Sequence, residues 1–364
     1  MADTVIAHDS VTVLGGAERV LDVLLSAFKG APLYTAVHHP RFPFASGEAR
    51  TVHVSPLQRV PLRLQLLKPL FPWAFERFHV PPGIRLVLSS SSGYAKGIRP
   101  CAGAVHVSYV HTPLRRVWNP HHRAARRTVG GSPGRALERA VLARLRRWDL
   151  ESMARVDHIV ANSRNTAEQI RRVYGREASV VHPPVRTAFF TPGPAGPGDY
   201  FLVVSRLDPY KRIDLAVRVA MRLGVRLVVV GDGMERRRLE RLAGGAVAFA
   251  GVVDDERLRD LYRGCRALLF PGEEDFGIVP VEAQACGRPV VALAAGGALE
   301  TIVDGETGLL FEEQSSEALE AAVARLQAMR FDPARIRAHA LTFDEAAFRG
   351  RLEALVARVA PARP

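Results

Sequence analysis

Short apolar runs alternate with longer amphipathic segments between residues 200 and 293, and this alternation constrains the fold most strongly. The apolar runs have the length and β-branched content of buried strands, and the segments between them have helical periodicity. The strand-like runs are YFLVVS, RLVVVG, VAFAG, RALLF and PVVAL. Parallel strands joined by right-handed helical crossovers are the usual result of such alternation, so the sequence predicts an α/β fold.

The first half of the chain has a second series of the same kind. Its strand-like runs are TVIAHDS, RLVLSSSS, VHVSYVHTP, HIVANS and SVVHPPV. Between the two series lies the segment 191–199, TPGPAGPGD, which contains three prolines and three glycines. Such a segment is typical of a domain boundary, and 364 residues suffice for two cores. We therefore predict domains over residues 1–190 and 198–342, followed by an amphipathic helix within 343–364.

The composition is that of a globular protein, with 48% hydrophobic and 24% charged residues. No apolar run approaches the roughly 18 residues of a transmembrane helix, and MADTVIAHDS lacks the basic and apolar regions of a signal peptide. The cysteines Cys101, Cys265 and Cys286 form no C-x-x-C pair. These features predict a cytoplasmic location, no disulfide framework and no metal site.

The net charge is +13, and ten arginines lie between Arg115 and Arg147. A basic face of this kind suits nucleic acid, anionic lipid or a phosphorylated substrate, and it is equally compatible with a solvated helical surface. The basic stretch lacks interleaved aromatic residues, which disfavours nucleic acid. Only four lysines are present, so each position that keeps a lysine is of interest: Lys29, Lys68, Lys96 and Lys211.

The segment 271–289, PGEEDFGIVPVEAQACGRP, has the strongest functional pattern. Glu274 and Glu282 are separated by seven residues and follow the apolar strand CRALLF. We predict Glu274 on a strand-to-helix loop, Pro280 at the first helical position and Glu282 in the first turn. Backbone N–H groups at such a helix N-terminus, at the carboxyl end of a parallel strand, commonly hold an anion or polar ligand.

Two surface acids near a helix start are the simpler interpretation, because carboxylates suit the helix macrodipole. However, the residue three positions before Glu282 is a valine, so Glu282 is not half of a capping box.

Two further patterns indicate phosphate binding. In VSRLDPYKRID, Arg206 follows a buried strand and Lys211 comes five residues later, a pair of cations that suits a diphosphate. Gly15 and Gly16 follow the first strand and precede a helix, where glycines let the backbone approach a ligand. The alternatives are exposed surface charges and a plain turn. The chain has no complete G-x-G-x-x-G fingerprint, so a dinucleotide site is disfavoured.

The segment 271–311, including CGRPVVALAAGGALETIVDGETGLLF, resembles the E-x7-E signature of family 4 glycosyltransferases. These are retaining enzymes with the GT-B fold, in which two Rossmann-like parallel-sheet domains face each other across a cleft and a C-terminal helix crosses back onto the N-terminal domain. VSYVHTPLRRVW, which contains His111, resembles a segment of bacterial polysaccharide mannosyltransferases.

The resemblance implies a role for each candidate residue. Glu274 and His111 would act at the donor sugar, and backbone near Val252 would hold the base. Glu282 would bind the ribose hydroxyls. Arg206, Lys211, Gly15 and Gly16 would hold the donor diphosphate. The sugar contacts would come from Phe276, Gly277 and Ile278.

The expected activity is retaining, metal-independent transfer of a hexose, with mannose from GDP-mannose as the best guess. The donor would be a nucleoside diphosphate sugar, no other cofactor is expected, and the acceptor would be a glycan or a lipid-linked molecule in cell-surface polysaccharide synthesis. A non-catalytic nucleotide- or glycan-binding protein of the same fold would have lost Glu274, Arg206 or Lys211, and all three are present. A nucleotide-sugar epimerase would need a different set of acids and histidines.

A peripheral membrane contact is also expected. The stretch 61–78, PLRLQLLKPLFPWAFERF, is apolar and basic and accompanies the ten arginines. Several basic groups together attract an anionic bilayer, and Leu66, Phe71 and Trp73 would insert beside them. The alternative is that these apolar residues belong to the core and the arginines to a solvated face.

Overall fold

The computed structural model describes residues 3–13, 15–40, 42, 44, 51–62, 64–119, 132–194 and 196–360. It divides into two compact units. The N-terminal unit comprises residues 1–184 and 348–364, and the C-terminal unit comprises residues 185–347. The division thus precedes the segment 191–199, which lies within the C-terminal unit.

The N-terminal unit contains a seven-stranded parallel sheet with the order β3-β2-β1-β4-β5-β6-β7. Its strands are β1 (Thr4–His8), β2 (Leu33–Thr35), β3 (Val52–Val54), β4 (Leu86–Ser91), β5 (Val105–Val110), β6 (His158–Ala161) and β7 (Ser179–Val180). Its helices are α1 (Gly16–Ala27), α2 (Leu64–Leu67), α3 (Phe71–Glu76), α4 (Arg115–Trp118), α5 (Ser132–Ala154) and α6 (Arg164–Tyr174).

Both faces of this sheet are covered, which explains why the central strands β1 and β4 are buried along their whole length. Successive residues of a strand point to opposite faces. Ile6 accordingly joins one core cluster while Val5 joins another. The C-terminal helix α14 (Glu345–Val359) completes the first of these clusters, with the Phe348 ring 5.7 Å from that of Tyr109. The helix predicted near the C-terminus therefore contributes to the core of the N-terminal unit.

The C-terminal unit contains a six-stranded parallel sheet with the order β10-β9-β8-β11-β12-β13. Its strands are β8 (Tyr200–Val204), β9 (Arg226–Val230), β10 (Val247–Gly251), β11 (Cys265–Phe270), β12 (Val290–Leu293) and β13 (Gly308–Phe311). Its helices are α7 (Ile213–Leu223), α8 (Arg236–Leu242), α9 (Asp255–Gly264), α10 (Ile278–Ala285), α11 (Ala298–Thr301), α12 (Ser316–Ala328) and α13 (Pro333–Leu341).

The strand orders confirm the predicted α/β fold of two Rossmann-like parallel sheets. In each sheet, the direction in which successive strands are added also reverses at one point. In the N-terminal unit, the chain builds outward from β1 on one side and then returns to place β4 on the other. In the C-terminal unit, β8 and β11 have the same relation. Ligands of open parallel sheets bind at the carboxyl ends of the strands that flank such a reversal.

In the part of the chain that the structure describes, no helix combines the length and the apolar character needed to cross a bilayer. The segment 120–131, with three of the ten arginines between Arg115 and Arg147, lies outside the described residues.

Candidate active site

Lys211 and Glu274 meet at the reversal point of the C-terminal sheet. Lys211 ends a 3₁₀ turn, Pro209–Lys211, that follows β8, and Glu274 lies on the loop after β11. β8 and β11 are neighbours, so their carboxyl ends bring together two residues that are far apart in sequence. The Lys211 Nζ and Glu274 Oε1 atoms form an ion pair, and the side chains are only 13% and 15% exposed.

Arg206 lies beside this pair but is largely in solvent, with 67% of its side chain exposed. Its guanidinium is 3.0 Å from the Asp208 carboxylate and donates a 2.8 Å hydrogen bond to the Tyr210 hydroxyl. The Lys211 ammonium lies 5.0 Å from the centre of the Tyr210 ring. Tyr210 therefore separates the two predicted phosphate-binding cations. Sequence reasoning missed it, although an aromatic residue between two cations in RLDPYK was a readable signal.

Arg212, next to Lys211, has a left-handed backbone with φ of 52°. Among the described non-glycine residues it is the only one with a positive φ. Residues in this region cost free energy and are concentrated at functional sites. Arg212 donates to the Gln314 side chain at 3.5 Å, and Gln314 in turn donates to the Pro271 carbonyl at 3.0 Å. This series of bonds connects the Lys211 turn with the start of the Glu274 loop.

Three glycines allow the Glu274 loop to pack closely against neighbouring backbone. A Cβ added at Gly272 would lie 2.8 Å from the Lys211 carbonyl oxygen. Side chains at Gly296 and Gly297 would overlap the backbones of Glu274 and Phe276. The Gly297 N–H also donates to the Glu274 carbonyl at 2.8 Å. Backbone contact on both sides leaves the loop little room to move, which fixes where the Glu274 carboxylate points.

Helix α10 begins earlier than the sequence suggested. Gly277 is its N-cap, with a left-handed φ of 91° that glycine tolerates, so the helix starts at Ile278. Pro280 is consequently the third helical residue and Glu282 the fifth, and the prediction that placed them in the first position and the first turn was wrong. Glu282 is buried, 4% exposed, and accepts a 2.9 Å hydrogen bond from the Tyr262 hydroxyl.

The Phe276 side chain is part of the core rather than a surface contact. It is 3% exposed, and its ring packs at 5.6 Å against that of Phe343. The backbone around Phe276, Gly277 and Ile278, rather than the Phe276 ring, is therefore suited to contact a ligand. Val252 follows β10 and is 80% exposed, so it lies at the same carboxyl edge, two strands from β8.

Two family models match the chain in succession. The model described as "Glycosyltransferase Family 4" matches residues 14–189, and the model described as "Glycosyl transferases group 1" matches residues 185–341. Together the two glycosyltransferase models cover residues 14–341, and the fold is that of GT-B glycosyltransferases. Arg206, Lys211, Glu274 and Glu282 all lie in the part that matches the group 1 model.

Curated proteins similar to this chain include D-inositol 3-phosphate glycosyltransferases. The protein from Acidothermus cellulolyticus is 36% identical over 211 residues, which are 49% of this chain and 47% of the relative. The protein from Mycobacteroides abscessus is 36% identical over 186 residues, 44% of this chain and 42% of the relative. The chain thus spans about half the length of the curated relatives it matches.

Solved GT-B structures align over the whole chain. Anabaena HepE, in complex with UDP and glucose, superposes with a TM-score of 0.76 at 19% identity, covering 99% of this chain and 100% of HepE. Sucrose-phosphate synthase from Thermosynechococcus elongatus gives a TM-score of 0.74 at 21% identity and covers 98% of both chains. At these identities the likeness concerns the fold.

In the N-terminal unit of this GT-B protein, His111 directly follows β5 and is 9% exposed. Its Nε2 lies 2.8 Å from the Ser90 hydroxyl, and its carbonyl accepts a 3.0 Å bond from the Asn162 side chain. Burial, together with His8 and Arg115, lowers the pKa of His111 to about 3. A neutral imidazole can both donate and accept hydrogen bonds, as recognition of a sugar hydroxyl requires.

The glycine pair is arranged differently from the prediction. Gly16 begins α1, and Gly15 is its N-cap. The Gly15 N–H donates to the Glu18 carboxylate at 3.1 Å, and a Cβ at Gly15 would come within 2.9 Å of that carboxylate. In this structure the Gly15 amide is therefore committed to Glu18, and a diphosphate contact at Gly15 and Gly16 stays a prediction.

A buried polar cluster holds the segment that follows His111. Asp149 on α5 is fully buried and accepts 2.7 Å hydrogen bonds from the Trp118 indole and the Tyr174 hydroxyl. It also pairs with the Lys96 ammonium at 2.6 Å. Removing one partner from such a buried ion pair is strongly destabilising. Lys96 is thus a structural lysine, whereas Lys211 lies at the candidate site.

The structure therefore brings the predicted residues together in two groups. Lys211 and Glu274 are in direct contact in the C-terminal unit, with Arg206 reaching them through Tyr210. His111 belongs to the N-terminal unit, where it is joined to Ser90. Among the described residues, no cluster of three or more histidines, cysteines or acids is arranged to hold a metal ion.

Proposed function

We propose that this protein is a retaining glycosyltransferase that moves a hexose from a nucleoside diphosphate sugar to a glycan or lipid-linked acceptor. The observation that carries the proposal is the Lys211–Glu274 contact at the reversal point of the C-terminal sheet. A cation and a carboxylate held side by side suit a reaction that develops negative charge on a leaving diphosphate and positive charge on a sugar carbon.

In the proposed reaction, Lys211 and Arg206 neutralise the diphosphate as it leaves and so replace a metal ion. Arg supplies a planar fork and Lys a compact charge. The Glu274 carboxylate, held in place by the glycine-packed loop, stabilises the positive charge of the sugar. Glu282 would take the ribose hydroxyls and Val252 the base, while Phe276, Gly277 and Ile278 would contribute backbone contacts to the sugar.

For the donor we propose a UDP-sugar. The solved structures with this fold include complexes with UDP, with UDP and glucose, and with UDP-glucose. None of the relatives described above is named for mannose transfer. Mannose from GDP-mannose, the expectation from sequence, has no support in these comparisons and is kept as one arm of the experiment.

The donor site can be tested by calorimetric binding of UDP, uridine, GDP, UDP-glucose and GDP-mannose to the wild type and to Arg206→Ala. The variant loses charge-assisted contacts worth about 1.5–3 kcal/mol, so its affinity for UDP should fall at least tenfold while its affinity for uridine changes little. Equal losses for both ligands would show that Arg206 does not face the diphosphate.

Arg226 provides a matched control. It is 66% exposed and pairs with Asp199 at 2.9 Å, much as Arg206 pairs with Asp208, but it starts β9 at the opposite end of the sheet. Arg226→Ala should leave the UDP affinity unchanged. Sugar release and transfer from the bound donor, with and without an acceptor and with and without chelator, then distinguish an enzyme from a non-catalytic binding protein. A strict need for magnesium or manganese would contradict the role given to the two cations.

We also propose that the N-terminal unit contacts an anionic membrane, where a lipid-linked acceptor would be presented. Its apolar surface is formed by four exposed side chains: Leu62 at 53%, Leu66 at 62%, Leu70 at 49% and Trp73 at 42%. The Arg77 guanidinium lies 5.1 Å from the Trp73 ring, which adds a basic group beside them. Phe71, expected to insert as well, is fully buried, so that part of the prediction was wrong.

Sedimentation with anionic and neutral liposomes at low and high salt tests this contact. The wild type should bind anionic vesicles at low salt, and Leu66→Glu should bind less because it places a charge in the inserted surface. Leu341→Glu is the control, since Leu341 is 41% exposed on α13 of the C-terminal unit. A wild type that stays in the supernatant with anionic vesicles at low salt would contradict the membrane contact and leave the proposed transfer reaction untouched.

A further inference from the structure

Four polar side chains of the N-terminal unit form a continuous line that ends at His111. The Glu18 carboxylate lies 3.7 Å from His8 Nε2, and His8 Nδ1 lies 3.1 Å from the Ser90 hydroxyl. The Ser90 hydroxyl lies 2.8 Å from His111 Nε2. His8, Ser90 and His111 are each 9% exposed or less. The Glu18 side chain is 18% exposed.

The sheet register explains why these residues line up. His8 ends β1 and is paired with Ser90 in β4, which is paired in turn with Tyr109 in β5. β1, β4 and β5 are adjacent, so their carboxyl ends place His8, Ser90 and His111 in a row at the reversal point of this sheet. Glu18 reaches the row from the first turn of α1.

The Glu18 carboxylate, 3.7 Å from His8 Nε2, is too far for a hydrogen bond, but its charge sets the direction of the two hydrogen bonds in the line. A carboxylate beside Nε2 favours the His8 tautomer with its proton on Nε2, which leaves the lone pair on Nδ1. The Ser90 hydroxyl then donates to His8 Nδ1, and His111 must donate from Nε2–H to the Ser90 oxygen. In this arrangement the His111 lone pair is on Nδ1.

We propose that Glu18, His8 and Ser90 are positioning residues that hold His111 as the Nε2–H tautomer, so that its Nδ1 accepts a hydrogen bond from a hydroxyl group of the donor sugar. The last step rests on the proposed glycosyl transfer, whereas the tautomer is a property of the free protein. The same Glu18 carboxylate accepts from the Gly15 N–H, so one residue holds both the glycine turn and the histidine line.

The neighbouring Ser89–His106 pair is a matched control. Ser89 lies on the opposite face of β4, is fully buried like Ser90, and its hydroxyl lies 2.9 Å from His106 Nε2. It shares the strand, the burial and the type of bond but has no part in the line that leads from Glu18. Ser89→Ala should therefore perturb the sheet about as much as Ser90→Ala without reaching His111.

The tautomer can be read at pH 8 from the side-chain ¹⁵N signals of histidine-labelled full-length protein, assigned with a His111→Gln variant. The wild type should show His111 protonated on Nε2 alone. Glu18→Gln keeps an acceptor for the Gly15 amide but can also donate, so the His111 signals should shift toward a mixture of tautomers. Ser90→Ala should shift them as well, and Ser89→Ala should not.

A wild-type His111 protonated on Nδ1 would overturn the proposal, and so would His111 signals that stay the same in both Glu18→Gln and Ser90→Ala. The hydroxyl contact is tested by comparing UDP-glucose with UDP. Ser90→Ala should lower the affinity for UDP-glucose about fivefold, through one lost neutral hydrogen bond, and leave the affinity for UDP unchanged. A wild type that binds no UDP-sugar would reject the hydroxyl contact together with the proposed function, while the ¹⁵N result would still decide the tautomer.

Discussion

The two units place polar side chains at the same point of the same kind of sheet, but they hold them by different means. In the C-terminal unit, Glu274 and Lys211 lie on loops that are fixed by backbone contacts to glycines. In the N-terminal unit, His111 is fixed by side-chain hydrogen bonds through Ser90 to His8, which lies beside the Glu18 carboxylate. Loop packing sets the position of a charge, whereas a hydrogen-bonded line also sets where a proton lies.

This difference decides what each unit tolerates. A packed loop fails when volume is added, because the neighbouring backbone has nowhere to go. A hydrogen-bonded line fails when one member is removed or changes its protonation, because the remaining donors and acceptors lose their direction. Substitutions in each unit should therefore have different consequences.

The largest effect is expected at Glu274. Glu274→Gln keeps the shape of the side chain but removes the charge that would stabilise the transferred sugar, so the turnover of the folded variant should fall about 100-fold or more. Steady-state transfer with the best donor from the binding panel measures this. Glu273→Gln, on the adjacent and exposed glutamate, should retain near-normal turnover. Comparable turnover in Glu274→Gln and Glu273→Gln would show that the loop does not position a functional carboxylate.

The packed loop is tested next by Gly297→Ala. The added methyl group would overlap the Phe276 backbone, so we expect a loss of about 3 kcal/mol in the free energy of unfolding of the C-terminal unit, at the upper end of the range for overpacking. UDP affinity should fall as well, because the Glu274 loop must shift. Gly245→Ala is the control, since an exposed Cβ at that position meets no atom within 4 Å. Equal free energies of unfolding in urea for Gly297→Ala and Gly245→Ala would contradict a tightly packed loop.

The smallest effect concerns acid stability of the N-terminal unit. Burial lowers the pKa of His106 to about 4, whereas histidine in an unfolded chain titrates near 6.5. The unfolded state therefore binds more protons between these values, and stability falls as the pH drops through 6.5. Between pH 7 and pH 5 the loss is about 2 kcal/mol for this histidine. His111 acts in the same direction, and Asp9, whose pKa is raised by burial, acts in the opposite one.

Because several groups contribute, the test is the difference between the wild type and His106→Gln. The variant should lose about 2 kcal/mol less stability between pH 7 and pH 5. Amide-hydrogen exchange in β4 and β5, corrected for the intrinsic rate, measures it in the N-terminal unit. The same comparison in β8 and β11 is the control, because the only histidine of the C-terminal unit is the half-buried His339. Parallel pH profiles for the wild type and the variant would mean that His106 is not held neutral.

Much of the C-terminal unit could be predicted from sequence because its signals are contiguous. Strand-like runs, glycines and charges follow one another in strings such as VSRLDPYKRID and PGEEDFGIVPVEAQACGRP, and the carboxyl end of each strand can be read directly. The predicted start of α10 was two residues late because Pro280 was taken as the first helical residue. In the structure Gly277 is the N-cap, with a left-handed backbone, and the helix starts at Ile278. The burial of Phe71 was missed because a short apolar stretch contains both core-facing and solvent-facing residues.

The sequence by itself determined the alternation of strands and helices, the two parallel sheets and the loops that carry Arg206, Lys211 and Glu274, because these depend on local periodicity and on the chain direction of each strand. Only the tertiary structure decided which of those residues touch. It paired Lys211 with Glu274 by placing β8 beside β11, and it made a line of Glu18, His8, Ser90 and His111 through strand register. Strand order and register depend on packing across the whole sheet, so no local pattern around His8 or Ser90 could reveal their connection to His111.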